Sequence, residues 1–138
     1  MITKTTKHLL TALVLLSFFG ISQANAMEAA EPKVIGLLFY SDSCGSCKVL
    51  DPKIETAKND YTTEPILFVT FDHSNAGSKN QAALLADSLS LGKIYDAQKK
   101  ASGYMLLVDP KSGKVITKLT REMSEDDIKA AFNSALKS

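Results

Sequence analysis

The 138 residues include 45% hydrophobic and 22% charged side chains, an ordinary globular balance that excludes disorder and suits one domain rather than two. A formal net charge of +1 without a clustered basic patch excludes an electrostatic nucleic-acid binder. The two cysteines, Cys44 and Cys47, are too few for a disulfide-rich scaffold and supply only half of a structural zinc site.

Residues 1–26 read as a secretory signal peptide. Lys4, Lys7 and His8 make a positive start, Leu9 to Ile21 an apolar stretch too short to span a membrane, and Ala24-Asn25-Ala26 a small-residue cleavage site. Cleavage would leave residues 27–138 as the mature domain. Its compartment would then be periplasmic or secreted, where dithiol pairs meet oxidising machinery.

Met27 to Lys33 is a short lead-in. Val34 to Tyr40 is a continuous apolar run, the pattern of a strand buried on both faces, and Gly36 within it marks a place where something packs closely on the backbone. A polar turn, Ser41-Asp42-Ser43, then delivers Cys44-Gly45-Ser46-Cys47-Lys48. A helix is predicted from Cys44 to Asn59, with Leu50, Ile54 and Ala57 on one face and Pro52 in its interior. A second strand runs from Ile66 to Phe71, followed by a loop from Asp72 to Gly77. A second helix spans Gln81 to Ser90, with Ala82, Leu85 and Leu89 on one stripe, Leu84 beside it and the three leucines expected in the core, and a short helical continuation covers Ile94 to Ala97. Tyr104 to Val108 is a third strand, Asp109 to Gly113 a hairpin turn, and Val115 to Thr120 a fourth strand. Ser124 with Asp127 makes a capping-box start for a closing helix whose apolar face is Ile128, Ala131, Phe132, Ala135 and Leu136.

This order predicts an α/β fold. The first two strands need a crossover helix and are therefore parallel. The last two share a short turn and are antiparallel, so helices flank a four-stranded mixed sheet. Cys44 and Cys47 sit where a strand becomes a helix. The helix amides and macrodipole favour the thiolate of Cys44, and Cys47 lies one turn on, placed to attack a mixed disulfide formed by the first thiol. A passive staple gains little from so short a loop. A metal reading needs ligands from elsewhere, such as a dimer mate, and His73 is expected in a loop away from the cysteines, as a solvated or capping residue. Lys48 is read as a solvated helix residue, and Tyr95 and the tyrosine at 104 as more often core than contacts.

The stretch Phe39-Tyr40-Ser41-Asp42-Ser43-Cys44-Gly45-Ser46-Cys47-Lys48, with Pro52 five residues after the second cysteine, resembles the thioredoxin superfamily. The resemblance covers about Val34 to Lys137 and implies a near-minimal thioredoxin-like fold without the usual first strand and helix. It implies Cys44 as nucleophile, Cys47 as resolving thiol, a redox-active disulfide between them, and no organic cofactor or metal. By the same resemblance Ser102, Gly103 and Tyr104 form the substrate-binding loop, with Gly103 where the family carries a cis-proline. A trans Ser102–Gly103 peptide and more open sulfurs are expected there. Leu38 and Thr70 replace the family's buried carboxylate and its lysine partner. The implied function is an extracytoplasmic thiol–disulfide oxidoreductase. It would act on cysteine-containing extracytoplasmic proteins and be recycled by a membrane redox protein. The alternative is a thioredoxin-fold binding or metal-handling module that uses the two thiolates without turnover.

Overall fold

The apolar run at Val34–Tyr40 forms β1, buried along nearly its whole length because it lies inside the sheet with a neighbour on each side. The computed structural model describes residues 31–138, so the expected signal peptide, residues 1–26, lies outside the described residues. The elements that follow are α1 (Gly45–Lys58), one 3-10 turn (Asn59–Tyr61), β2 (Ile66–Asp72), α2 (Ala76–Ser88), α3 (Gly92–Gln98), β3 (Tyr104–Val108), β4 (Val115–Thr120) and α4 (Glu125–Leu136). The sheet order is β2-β1-β3-β4. β1 pairs parallel with β2, from Val34 opposite Ile66 to Tyr40 opposite Asp72, because α1 carries the chain back to the starting edge. β3–β4 is antiparallel, as the hairpin at Asp109–Lys114 requires, and β1–β3 is antiparallel as well.

Strand alternation divides the core between the two faces of the sheet. Val34, Leu38, Met105 and Leu107 face α1 and α4, meeting Leu50, Ile54, Ala57, Ile128, Phe132 and Ala135. Ile35, Leu37, Phe39, Leu106 and Val108 face α2 and α3, meeting Phe71, Ala82, Ala86 and Tyr95. Gly36 is required by packing: a Cβ there would lie 3.1 Å from Phe68 Cδ1 and 3.2 Å from Met105 Sδ. The predicted face of α1 is the buried one, with Cys47 added to it, and the capping box at Ser124 and Asp127 is complete.

The second helix departs from expectation. It begins at Ala76 rather than Gln81, because the Asn75 side chain accepts from Ser78 N–H at 3.0 Å and caps a helix that opens through Gly77. Its buried positions are Ala82 and Ala86, with Leu89 partly buried against the same core. Leu84 and Leu85, expected in the core, are 72% and 39% exposed. Small alanines bring α2 close to the sheet, and that approach turns both leucines outward. Among the described residues no helix is long and apolar enough to cross a membrane.

Candidate functional site

The polar turn after β1 is held from several directions. Cys44 N–H donates to Ser41 O at 3.0 Å, the Asp42 N–H to Ser74 Oγ at 3.0 Å, and the Tyr40 hydroxyl to Asp42 Oδ1 at 3.0 Å. Cys44 is the N-cap of α1 rather than its first residue, with φ −85° and ψ 112°, and its own sulfur is the capping acceptor, 3.2 Å from Cys47 N. The first-turn amide that a Ser or Asp side chain would ordinarily satisfy is here spent on a thiol. Cys47 is fully buried, with Sγ 3.8 Å from Phe39 O, while Cys44 is partly exposed; both are free thiols.

The electrostatics of the two sulfurs differ. Burial pushes the Cys44 thiol up, but the donors around it outweigh burial and hold its pKa below the ordinary value. Those donors are the Cys47 thiol, the Ser102 hydroxyl and the backbone N–H groups of Cys47 and Ser46. For Cys47, burial comes first and the neighbouring Cys44 sulfur second, and both push its pKa up. The accessible sulfur is therefore the one favoured as thiolate, and the buried one is held as thiol.

The loop before β3 closes over this pair. Gly103 N–H donates to Phe39 O at 2.7 Å, so one carbonyl anchors both the loop and the Cys47 thiol. Gly103 has φ +92°, and a Cβ there would lie 2.7 Å from Ser46 Cβ and 3.0 Å from Cys44 Sγ. All peptide bonds among the described residues are trans, the Ser102–Gly103 bond included. A side chain at this place would press on both Ser46 and Cys44, so the loop backbone packs close to the sulfurs while Cys44 stays partly exposed. The Ser102 hydroxyl faces both sulfurs. Tyr104, expected beside them as a substrate contact, is 6% exposed; its ring stacks on Phe39 at 5.2 Å and its hydroxyl donates to Gln98 Oε1. Tyr104 is thus part of the core beneath the site rather than of its exposed rim.

His73 also differs from its expected place. It is 7% exposed, packs edge-on against Phe39 and Tyr95, and has Nδ1 3.2 Å from Ala101 O. It does not touch the cysteines, but it braces the loop that faces them. The parallel pairing of β1 and β2 explains this: both strands end at the same edge, and His73 N–H donates to Tyr40 O at 2.8 Å. The register of that pair was the signal needed to place it. Leu38 is buried in the core and Thr70, opposite it on β2, is exposed, so no carboxylate–lysine pair occupies those positions. Lys48 is exposed on the helix surface. Among the described residues no group of three or more His, Cys, Asp or Glu side chains is arranged to hold a metal ion.

The thioredoxin family model matches residues 23–86. No curated protein matches the sequence significantly. Among solved structures, a thiol:disulfide interchange protein of the thioredoxin family from Chlorobium tepidum is 14% identical, with 75% of this chain and 80% of that one covered and a TM-score of 0.51. The thioredoxin domain of a thiol-disulfide oxidoreductase from Bacteroides vulgatus is 17% identical, covering 77% and 81%, with a TM-score of 0.51. DsbF of MTB, solved in mixed oxidized and reduced forms, is 16% identical, covering 76% and 82%, with a TM-score of 0.50. At these identities the likeness lies in the fold. The chain thus has a thioredoxin-like fold, a four-stranded mixed sheet flanked by helices, and its residues 23–86, the cysteine motif among them, match the thioredoxin family model.

Proposed function

We propose that the protein is an extracytoplasmic thiol–disulfide oxidoreductase acting on protein cysteines. The observation that carries this reading is the asymmetry of the pair: a partly exposed Cys44 whose sulfur caps α1, and a buried Cys47 one turn behind it. In the reducing direction the Cys44 thiolate attacks one sulfur of a substrate disulfide. The substrate S–S bond breaks, the leaving sulfur takes a proton from solvent, and a mixed disulfide forms. Cys47 then loses its proton and attacks Cys44 Sγ; the mixed disulfide breaks, the second substrate sulfur leaves and takes a proton, and the two electrons that reduce the substrate come from the Cys44 and Cys47 thiols, which end as a disulfide. Run backwards, the same steps oxidise a substrate dithiol. The coarser redox role is supported by the fold and the family match; the compartment rests on the signal-like residues 1–26, and recycling is assigned to a membrane redox protein.

Cys44→Ser abolishes exchange in an insulin-reduction or refolding assay, and Cys47→Ser accumulates mixed disulfides visible on non-reducing gels. Normal turnover by Cys44→Ser would overturn the assignment of the nucleophile.

A further inference from the structure

Beside the sulfurs lies a polar cleft of about 340 Å³ that the exchange chemistry does not use. Its rim carries Lys79 from the first turn of α2, and Lys99 and Lys100 just after α3; its inner wall carries Ser43, Ser102 and His73. Lys99 pairs with Asp96 at 3.3 Å, but Lys79 and Lys100 have no carboxylate within salt-bridge distance among the described residues. Asp42 and Asp72, the acids next in sequence to the wall residues Ser43 and His73, do not themselves line the cleft. The carboxylate of Asp42 accepts from the Tyr40 hydroxyl, and that of Asp72 from the N–H and hydroxyl of Ser74. His73 adds no charge. Burial holds its pKa down, and its Nδ1 carries the proton donated to Ala101 O, which fixes the wall. The Asp72 carboxylate lies behind Ser74 rather than on the lining, so the exposed lysines of the rim set the charge that an entering ligand meets, with the hydroxyls of Ser43, Ser74 and Ser102 on the wall. Ser43 and Ser102 of the wall are the chain neighbours of Cys44 and of Gly103, whose Cβ position lies 3.0 Å from Cys44 Sγ, so the cleft opens on the side of the attacking sulfur.

We propose that this cleft is a carboxylate-binding subsite that selects disulfides carrying an acidic group beside the attacked cysteine. The proposal rests on the exchange reading, because the anions that reach Cys44 are those attached to disulfides. Those anions are carboxylates: an Asp or Glu flanking a protein cysteine, or the carboxylates of a small disulfide such as oxidised glutathione. Single exposed lysine–carboxylate pairs are weak and screened by salt, so the preference comes from the lysines acting together and from steering.

The test compares exchange with disulfide-linked peptides of equal length that carry Glu or Gln next to the cysteine, and with glutathione disulfide against its ester. At low salt the Glu peptide is expected to have a kcat/KM about fivefold to tenfold above the Gln peptide. That ratio falls toward one at about 0.5 M salt, and also in the Lys79→Gln/Lys100→Gln variant. A ratio near one at low salt, or one that the double variant leaves unchanged, overturns the subsite while leaving the exchange reading intact. Preference for the Glu peptide without preference for unesterified glutathione disulfide assigns the carboxylate to protein substrates; the reverse assigns it to small disulfides. If no disulfide is exchanged at all, the exchange reading fails, and the cleft is judged by titrating an unreactive Glu peptide with serine for cysteine. Amide NMR shifts at Lys79, Lys100 and Ser102 for Glu but not Gln support it, and their absence overturns it.

Discussion

The carbonyl oxygen of Phe39 receives both the Gly103 N–H and the Cys47 thiol, so a single backbone atom sets the spacing between the loop and the resolving sulfur. Ser102 is carried on that loop, and its hydroxyl is one of the groups that lower the Cys44 pKa. Ser102→Ala is expected to raise it, seen as a shift of the iodoacetamide alkylation profile toward higher pH. Loss of thiolate stabilisation disfavours the dithiol form, so the same variant becomes more reducing in a glutathione redox titration. An unchanged alkylation profile would show that the hydroxyl is not a donor to the sulfur. Gly103 tests the backbone itself. Alanine at φ +92° is strained, and its Cβ would press on Ser46 and Cys44, so Gly103→Ala is expected to cost about 2 kcal/mol or more in urea unfolding and to slow exchange. Proline is worse placed still, since it needs a negative φ and removes the N–H given to Phe39 O.

At the scale of elements, α2 shows most clearly how packing chooses a helix face. Two stripes were available, one through Leu85 and one through Ala86, and the buried one is the stripe with less bulk. The reason is distance: alanines let the helix axis approach Val69 and Phe71 on the sheet, and the contact surface is then supplied by the strand side chains. Leu84→Gln should change stability by no more than about 0.5 kcal/mol, since the side chain gains little from burial. Ala86→Leu should cost about 1–3 kcal/mol through overpacking, although it adds apolar surface. Denaturant midpoints of the two variants check both values; the opposite order would mean that α2 packs through its leucines.

Across the whole molecule, His73 joins the end of β2 to the loop before β3 and couples stability to pH. Its pKa is lowered first by burial. The Ala101 carbonyl opposes that, Lys79 adds to the lowering, and Asp72 opposes it. The unfolded chain therefore takes up a proton first as pH falls. The contribution of neutral His73 is fully present above about pH 6.5 and is lost as pH falls through the folded-state value. Urea midpoints should decline from about pH 7 to pH 5, and His73→Gln, which cannot titrate, should flatten that decline. An equal slope in both proteins would show that the ring is not buried as a neutral base. Much of this molecule is written in the chain as local pattern. The run Val34–Tyr40, the cysteine spacing, the hairpin turn and the Ser124 capping box each depend on neighbours within a few residues, and the parallel sense of the first strand pair and the antiparallel sense of the last follow from the lengths of their connections. The tertiary structure alone decided what depends on contacts between distant segments. It set the register that brings His73 onto Ala101 O and the approach that turns Leu84 outward. It also fixed the closeness of Gly103 to Cys44 and the meeting of lysines from α2 and the end of α3 around the cleft walled by Ser43 and Ser102. Periodicity reports which face of an element is apolar, but not how near its partner comes, because that distance is set by the side chains of both.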